Sequence, residues 1–297
     1  MDNKRFLLVI SKFPPEYSGP GVRIPRLYEW LQGKYSNLKL HVLCNGIEQL
    51  KNEEYINQNL PVRRVTAEYL NKLFLLLKFI PKRLSHAIIY QYEFVKTLLI
   101  LFFSWQYKNI DFLHVAGHSG GTAAALLWAK IRKIPVLMEL VTEHARHIQK
   151  GFLLSKVSVP ENAIVIALTE KVSLSCQKLG LSKDKIWRRP NPIDDQKFKI
   201  EEGVKKDLRN SLTPFSEDQI VISNVAKIMP QKNQFLILEV LTYLPDQYVA
   251  VIAGPFIKEG SLYQRDKEYL DRMQAYIKDQ NLQSRVCLIT DFVDAEK

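Results

Sequence analysis

At 297 residues, with 46% hydrophobic and 25% charged side chains, the chain is long enough for two α/β domains and too apolar for global disorder. The 42 Lys and Arg against 31 Asp and Glu give a formal net charge of +11, which favours anionic partners: nucleic acid, acidic lipid or phosphorylated substrates. No RNA- or DNA-binding motif accompanies that charge and the aromatics lie in apolar runs, so nucleic acid is set aside.

Arg5–Ile10 (RFLLVI) is a continuous apolar run, the pattern of a parallel strand buried on both faces. It leads into FPP with no small-residue cleavage site, and so reads as a first strand and not as a signal peptide. A Pro/Gly loop, Ser11–Gly21, follows. Val22–Gly33 carries Ile24, Leu27, Tyr28 and Leu31 at helical spacing, and Leu38–Cys44 is a second strand, which completes a βαβ unit. Between 60 and 110, LNKLFLLLKFIPKRL and YEFVKTLLILFFSWQYK predict two helices. Their span holds Lys72, Lys78, Lys82, Arg83, Lys96 and Lys108 against the single acid Glu93. The longest apolar stretch, Phe94–Trp105, is interrupted by Lys96 and falls short of the about 20 residues that cross a bilayer. Residues 70–108 therefore predict either basic amphipathic helices resting on an anionic membrane surface or a core-packed pair.

The α/β rhythm then returns. Ile110–Gly117 is a strand, His118–Lys133 a loop and helix, Ile134–Val141 and Asn162–Thr169 two strands, and Glu170–Gly180 a helix closed by its glycine. The predicted first domain is 1–200, with a polar linker at 201–218. The second domain, 219–297, reads as strand (QIVISNVAKI), helix (KNQFLILEVLTYL), strand (QYVAVIAGP), helix (EYLDRMQAYIKDQNL) and strand (RVCLITDFV). Cys44, Cys176 and Cys287 show no CxxC spacing and predict isolated thiols of a reducing compartment. His144 and His147 have no third ligand at convincing spacing, so no metal is expected.

Ligands of open α/β sheets bind at the carboxyl ends of the strands, so tandem domains imply a cleft and candidate residues just after strands. Gly19 and Gly21 follow the first strand and precede a helix, where backbone N–H groups can approach a phosphate; a tight turn is the plain alternative. Arg23 lies just inside that helix. His118, among Gly117, Gly120 and Gly121, reads either as a hydrogen-bond donor to a sugar hydroxyl or as a loop residue capping the next helix. His114, inside the strand, reads as core. Glu139 is an acid in a strand buried on both faces; it contacts a hydroxylated acceptor or pairs with a core-facing arginine. Lys227 and Lys232 flank a turn between strand and helix, and either converge on a diphosphate or stand as two exposed lysines.

VAKIMPQKN resembles the V-G-R-L-x-x-x-K-(G/N) segment of glycosyltransferase family 4. FPPEYSGPG is similar to that family's N-terminal glycine loop, IDFLHVAGH to its D-V-(I/V)-H-x-H strand end, and IWRRPNPIDDQKF to its (I/V)-x-x-I-P-N-(G/P)-(I/V)-D-x-x-x-F crossover. AVIAGP and LQSRVCLITDFVD resemble its I-x-G-x-G and L-x-x-x-V-x-F-x-G-x-V segments, so the likeness spans nearly the whole chain in the family's order. The resemblance implies an α/β GT-B fold of two Rossmann-like doubly wound domains, the first on the acceptor side and the second holding the donor. It implies a retaining mechanism without a metal. Lys227 replaces the family's arginine and Lys232 matches its lysine, both on the donor's phosphates, with Gly254 in the next strand end. His118 is nearest to the histidine of the sugar site, although ungapped counting puts Ala116 there. Asn191 and Asp194 match the crossover.

Ala226 and Asp291 stand where the family has glycine, and its paired glutamates fall beyond Val293, so the second domain reads as incomplete and the chain as C-terminally truncated. The function implied is sugar transfer from a nucleotide diphosphate sugar to a hydroxyl of a saccharide or lipid-linked acceptor. The expected setting is bacterial surface polysaccharide or glycolipid assembly, in the cytoplasm or on the inner face of the plasma membrane. The alternative is an inactive fragment that acts at most as a nucleotide-binding module.

Overall fold

The computed structural model describes residues 4–14, 18–45, 53–55, 60–65, 67–76, 80–140, 159–193, 213–258 and 262–291. The chain divides into two units, Met1–Asn191 and Pro192–Lys297. The division falls inside the RRPNP segment. His144, His147, Asp194 and most of the stretch read as linker lie outside the described residues.

Unit 1 is built on an eight-stranded sheet in the order β3-β4-β2-β1-β5-β6-β7-β8. The apolar run predicted as the first strand forms its centre: β1 (Lys4–Ile10) pairs in parallel with β2 (Leu38–Asn45) on one side and β5 (Phe112–Ala116) on the other. β4 (Pro61–Val65) continues the parallel sheet beyond β2, and β3 (Glu53–Tyr55) closes that edge antiparallel. On the opposite flank β6 (Val136–Leu140), β7 (Ala163–Ala167) and β8 (Ile186–Arg188) are all parallel. The chain thus winds outward from β1 in one direction, then returns to wind outward in the other. Right-handed crossovers place the helices of the two windings on opposite faces.

Side-chain alternation along β1 records both layers. Leu8 and Ile10 pack with Ile24 and Tyr28 of α1 (Gly19–Lys34) and with Leu40 and Val42 of β2. Leu7 and Val9 join the opposite core with Phe94 and Leu101 of α3 (Lys82–Phe103), Trp128 of α4 (Gly120–Arg132) and Cys176 of α5 (Glu170–Lys178). The fully buried Ala124 and Ala125 let α4 lie close to its neighbours. A Cβ on Gly120 would lie 2.0 Å from the Tyr90 carbonyl oxygen and 2.7 Å from the Phe94 nitrogen, so the glycine is needed where α4 begins against the backbone of α3.

The structure differs from the sequence reading at several places. β3, β4 and β8 were not expected: PVRRV has no apolar alternation, and IWRR reads only as the start of the crossover out of the first domain. Arg64 is nevertheless buried in β4, donating to the Pro14 carbonyl at 2.5 Å, and Arg63 donates to Ser104 Oγ at 2.8 Å. α3 also extends well upstream of the apolar stretch that begins at Phe94. Its portion Arg83–Phe103 is, by length and composition alone, long and apolar enough to cross a membrane. In the fold this helix packs against α4, with Phe94, Thr97 and Leu101 buried. Its outward side, with α2 (Glu68–Leu76), forms a groove of about 430 Å³ lined by Tyr69, Leu84, Ile88, Tyr92 and Val95. Leu99, Phe102 and Phe103 continue the exposed apolar surface.

Unit 2 carries a three-stranded parallel sheet in the order β11-β10-β9, with β9 Ile220–Val225, β10 Tyr248–Ala253 and β11 Val286–Ile289. Because the strands follow one another in one direction, right-handed crossovers put both helices on the same face. α6 (Phe235–Leu241) and α7 (Tyr263–Asp279) pack there through Phe235, Leu238, Tyr269, Leu270 and Met273 against Ile252, Val286 and Leu288.

Candidate functional site

The candidate residues lie at or just beyond the carboxyl edge of each sheet. In unit 1 the glycine loop has become the start of α1. Ser18 caps the helix: its Oγ accepts from the Gly21 N–H at 3.0 Å and donates to the Lys12 carbonyl at 3.3 Å. Gly19 faces open space, whereas a Cβ on Gly21 would lie 2.6 Å from that same Lys12 oxygen. The amide of Gly21 is thus engaged within the chain.

Arg23, one turn into α1, reaches Glu139 near the end of β6 and forms an ion pair whose carboxylate is 1% exposed and whose guanidinium side chain is 16% exposed. Of the two readings of Glu139, the arginine pair is the contact present. Beneath it, Tyr28 Oη lies 3.0 Å from His114 Nδ1. Burial first, then the positive charges of Arg23 and Arg189, lower the His114 pKa to about 3, so the ring is neutral at physiological pH. Burial and the Glu139 carboxylate push Tyr28 well above the usual phenol range. Among the described residues, His114 Nε2 and Arg23 Nη1 are buried without a hydrogen-bond partner.

His118 lies beyond Gly117 on the loop after β5, exposed, its ring edge-on to Tyr90 at 5.7 Å. The residue at the ungapped position, Ala116, is the buried last residue of β5. The helix cap is made by Ser119 and not by His118: Ser119 and Thr122 bond reciprocally at the start of α4. Glu93 of α3 occupies the same helix start, accepting from Gly120 N at 3.3 Å and from Asn45 Nδ2 at 2.7 Å.

In unit 2, Lys227 and Gly254 lie just past β9 and β10. Gly254 has φ +152, and a Cβ there would stand 2.0 Å from the Ala226 carbonyl oxygen. The glycine therefore lets β10 run close under the turn that carries Lys227. The Lys227 carbonyl accepts from the fully buried Gln234 at 2.9 Å, and the Ile228 N–H donates to Pro255 at 3.1 Å. Its ammonium, only 18% exposed on the side chain, sits 3.0 Å from Asp266 Oδ2. Lys232 ends a 3-10 turn, Pro230–Lys232, and is exposed. The first amide of α6, Phe235 N–H, donates to Tyr269 Oη at 2.9 Å, so that amide is already engaged within the chain.

Sequence reasoning passed over Asp266, Arg265 and Gln234. The signal for Asp266 was present: it stands three, four and seven residues before Tyr269, Leu270 and Met273, on the apolar stripe of α7, where an acid needs a partner.

No protein-family model matches the chain, and no curated protein matches it. Solved structures do. HepE from Anabaena, in complex with UDP and glucose, is 15% identical with a TM-score of 0.63, over 99% of this chain and 71% of that one. The trehalose-6-phosphate synthase of E. coli, bound with UDP-2-fluoro glucose, is 11% identical with a TM-score of 0.64, over 99% and 75%. The UDP-GlcNAc 2-epimerase of Neisseria meningitidis, bound to UDP-GlcNAc, is 18% identical with a TM-score of 0.52, over 96% and 72%. At these identities the likeness establishes the fold: an α/β chain of the GT-B type, built from Rossmann-like units.

Proposed function

We propose that this chain transfers a sugar from a nucleotide diphosphate sugar to a hydroxyl acceptor, with retention of anomeric configuration and without a metal. The observation that carries this reading is Lys227, held by backbone and side chain at the carboxyl edge of a parallel sheet in a GT-B fold. UDP or a UDP-sugar occupies the similar solved structures. Lys227 and Lys232 would balance the negative charge that develops on the departing diphosphate. The transition state would be oxocarbenium-like, and a phosphate oxygen of the leaving group would take the acceptor's proton on the same face. His118 is proposed for the donor sugar. On the acceptor side, the Arg23–Glu139 pair would shape the floor, since each group already holds the other.

Calorimetric titration with UDP, GDP and ADP tests the donor site. Saturable binding of one nucleotide is expected, weakened about ten-fold in Lys232→Ala by loss of one charged phosphate contact. A folded chain that binds none of the three sinks the reading. Binding without sugar transfer would make the chain a nucleotide-binding module.

The acceptor is proposed to be a saccharide or a lipid-linked hydroxyl, the latter presented at an anionic membrane on the cytoplasmic side, in surface polysaccharide or glycolipid assembly. The exposed apolar groove between α2 and α3, beside the exposed Lys72 and Arg83, supports that setting. Co-sedimentation should increase several-fold when phosphatidylglycerol is added to phosphatidylcholine vesicles, and should fall when Leu99→Asp and Phe103→Asp are combined. Equal retention by neutral vesicles would remove the anionic surface from the proposal.

A further inference from the structure

We infer that Asp266 is a positioning residue that sets Lys227 and Arg265 as one cation pair for the donor's diphosphate. The inference rests on the nucleotide-sugar reading of unit 2. Asp266 lies in the first turn of α7 with its carboxylate 1% exposed. Lys227 Nζ takes one oxygen at 3.0 Å, while Arg265 donates to the other through Nε at 3.0 Å and Nη2 at 2.6 Å.

One cation would neutralise this buried acid. Two leave a net positive charge, at the edge where β9 and β10 end and where the N-terminus of α7 adds to it. The pair is also ordered in advance. Gln234 and Gly254 fix the backbone of Lys227 from below, and the shared carboxylate fixes both side-chain heads, so little rotamer freedom is lost when an anion arrives. An ammonium carries three donors and a guanidinium five, so the bonds to Asp266 leave donors on both heads that can turn to phosphate oxygens. Arg265, its side chain 46% exposed, is the more accessible of the two.

A simple internal ion pair makes the opposite prediction. If Asp266 only competed with the ligand for Lys227, its removal would strengthen anion binding. The test is UDP titration of the full chain below its unfolding temperature. Asp266→Asn and Arg265→Ala are each expected to weaken UDP binding about ten-fold. In the Lys227→Ala background, Asp266→Asn should add less than its effect alone, since the residue acts through the lysine. Lys278→Ala, an exposed cation in the last turn of the same helix, should leave binding unchanged and so controls for net charge.

UDP binding that is unchanged or tighter in Asp266→Asn overturns the inference while leaving the nucleotide reading intact. If that variant does not fold, the exposed Arg265→Ala decides alone, and unchanged affinity there overturns it. Where the unsubstituted chain binds GDP or ADP in place of UDP, the same variants are titrated with that nucleotide; binding of none of the three overturns this inference together with the nucleotide reading.

Discussion

Replacing Glu139 with alanine is expected to destabilise unit 1 by about 3–5 kcal/mol. The carboxylate is almost fully buried, and its partner Arg23 already has one nitrogen, Nη1, buried without an acceptor among the described residues. Removing the acid leaves a guanidinium in an apolar setting beside the neutral His114 and the fully buried Ile24, none of which can compensate it. The double change Arg23→Met with Glu139→Leu removes both charges and should recover most of the loss. Tryptophan fluorescence during urea unfolding isolates the effect, because all 4 tryptophans (Trp30, Trp105, Trp128 and Trp187) belong to unit 1. A single variant that loses under about 1 kcal/mol, or a double variant no better than the single, would show that the pair is solvated and contributes little.

Gly254→Ala should have a comparable effect on unit 2, about 3 kcal/mol or more. Two costs add: a conformation at φ +152 that L-residues avoid, and a Cβ driven to 2.0 Å from the Ala226 oxygen and 2.5 Å from its carbon. Backbone movement cannot relieve the clash cheaply. The Ala226 N–H bonds to the Ala253 carbonyl at 2.9 Å, and the Gly254 N–H bonds to Ile289 at 3.0 Å, so a shift would open the sheet on both sides of β10. The transition of unit 2, followed by far-ultraviolet circular dichroism, should move to lower urea while the tryptophan transition stays in place. Loss of nucleotide affinity should accompany it, because Lys227 N lies only 3.2 Å from the added carbon. Wild-type stability together with wild-type UDP affinity would contradict this account of the glycine.

Most of the fold was legible before the structure. RFLLVI, NAIVIALT and QYVAVIAGP are strands because strands buried on both faces in a parallel sheet read as unbroken apolar runs. The spacing of Ile24 and Tyr28 predicted the buried stripe of α1. The short turn from the end of β9 to α6 placed Lys227 and Lys232 around one loop. These features are local: one period, or one turn, contains all the information needed.

Charge compensation was not local, and there the sequence left choices open. Glu139 could be read as an acceptor contact or as an ion pair until α1 brought Arg23 to it across 116 residues of chain. PVRRV has no strand pattern of its own; its pairing with β2, and the Pro14 carbonyl waiting for Arg64, make it β4. Asp266 stood plainly on the apolar stripe of its helix, but nothing nearby named Lys227 as its counter-charge. A buried charge must find an opposite one, and only the winding of the sheet decides which distant residue is close enough to supply it.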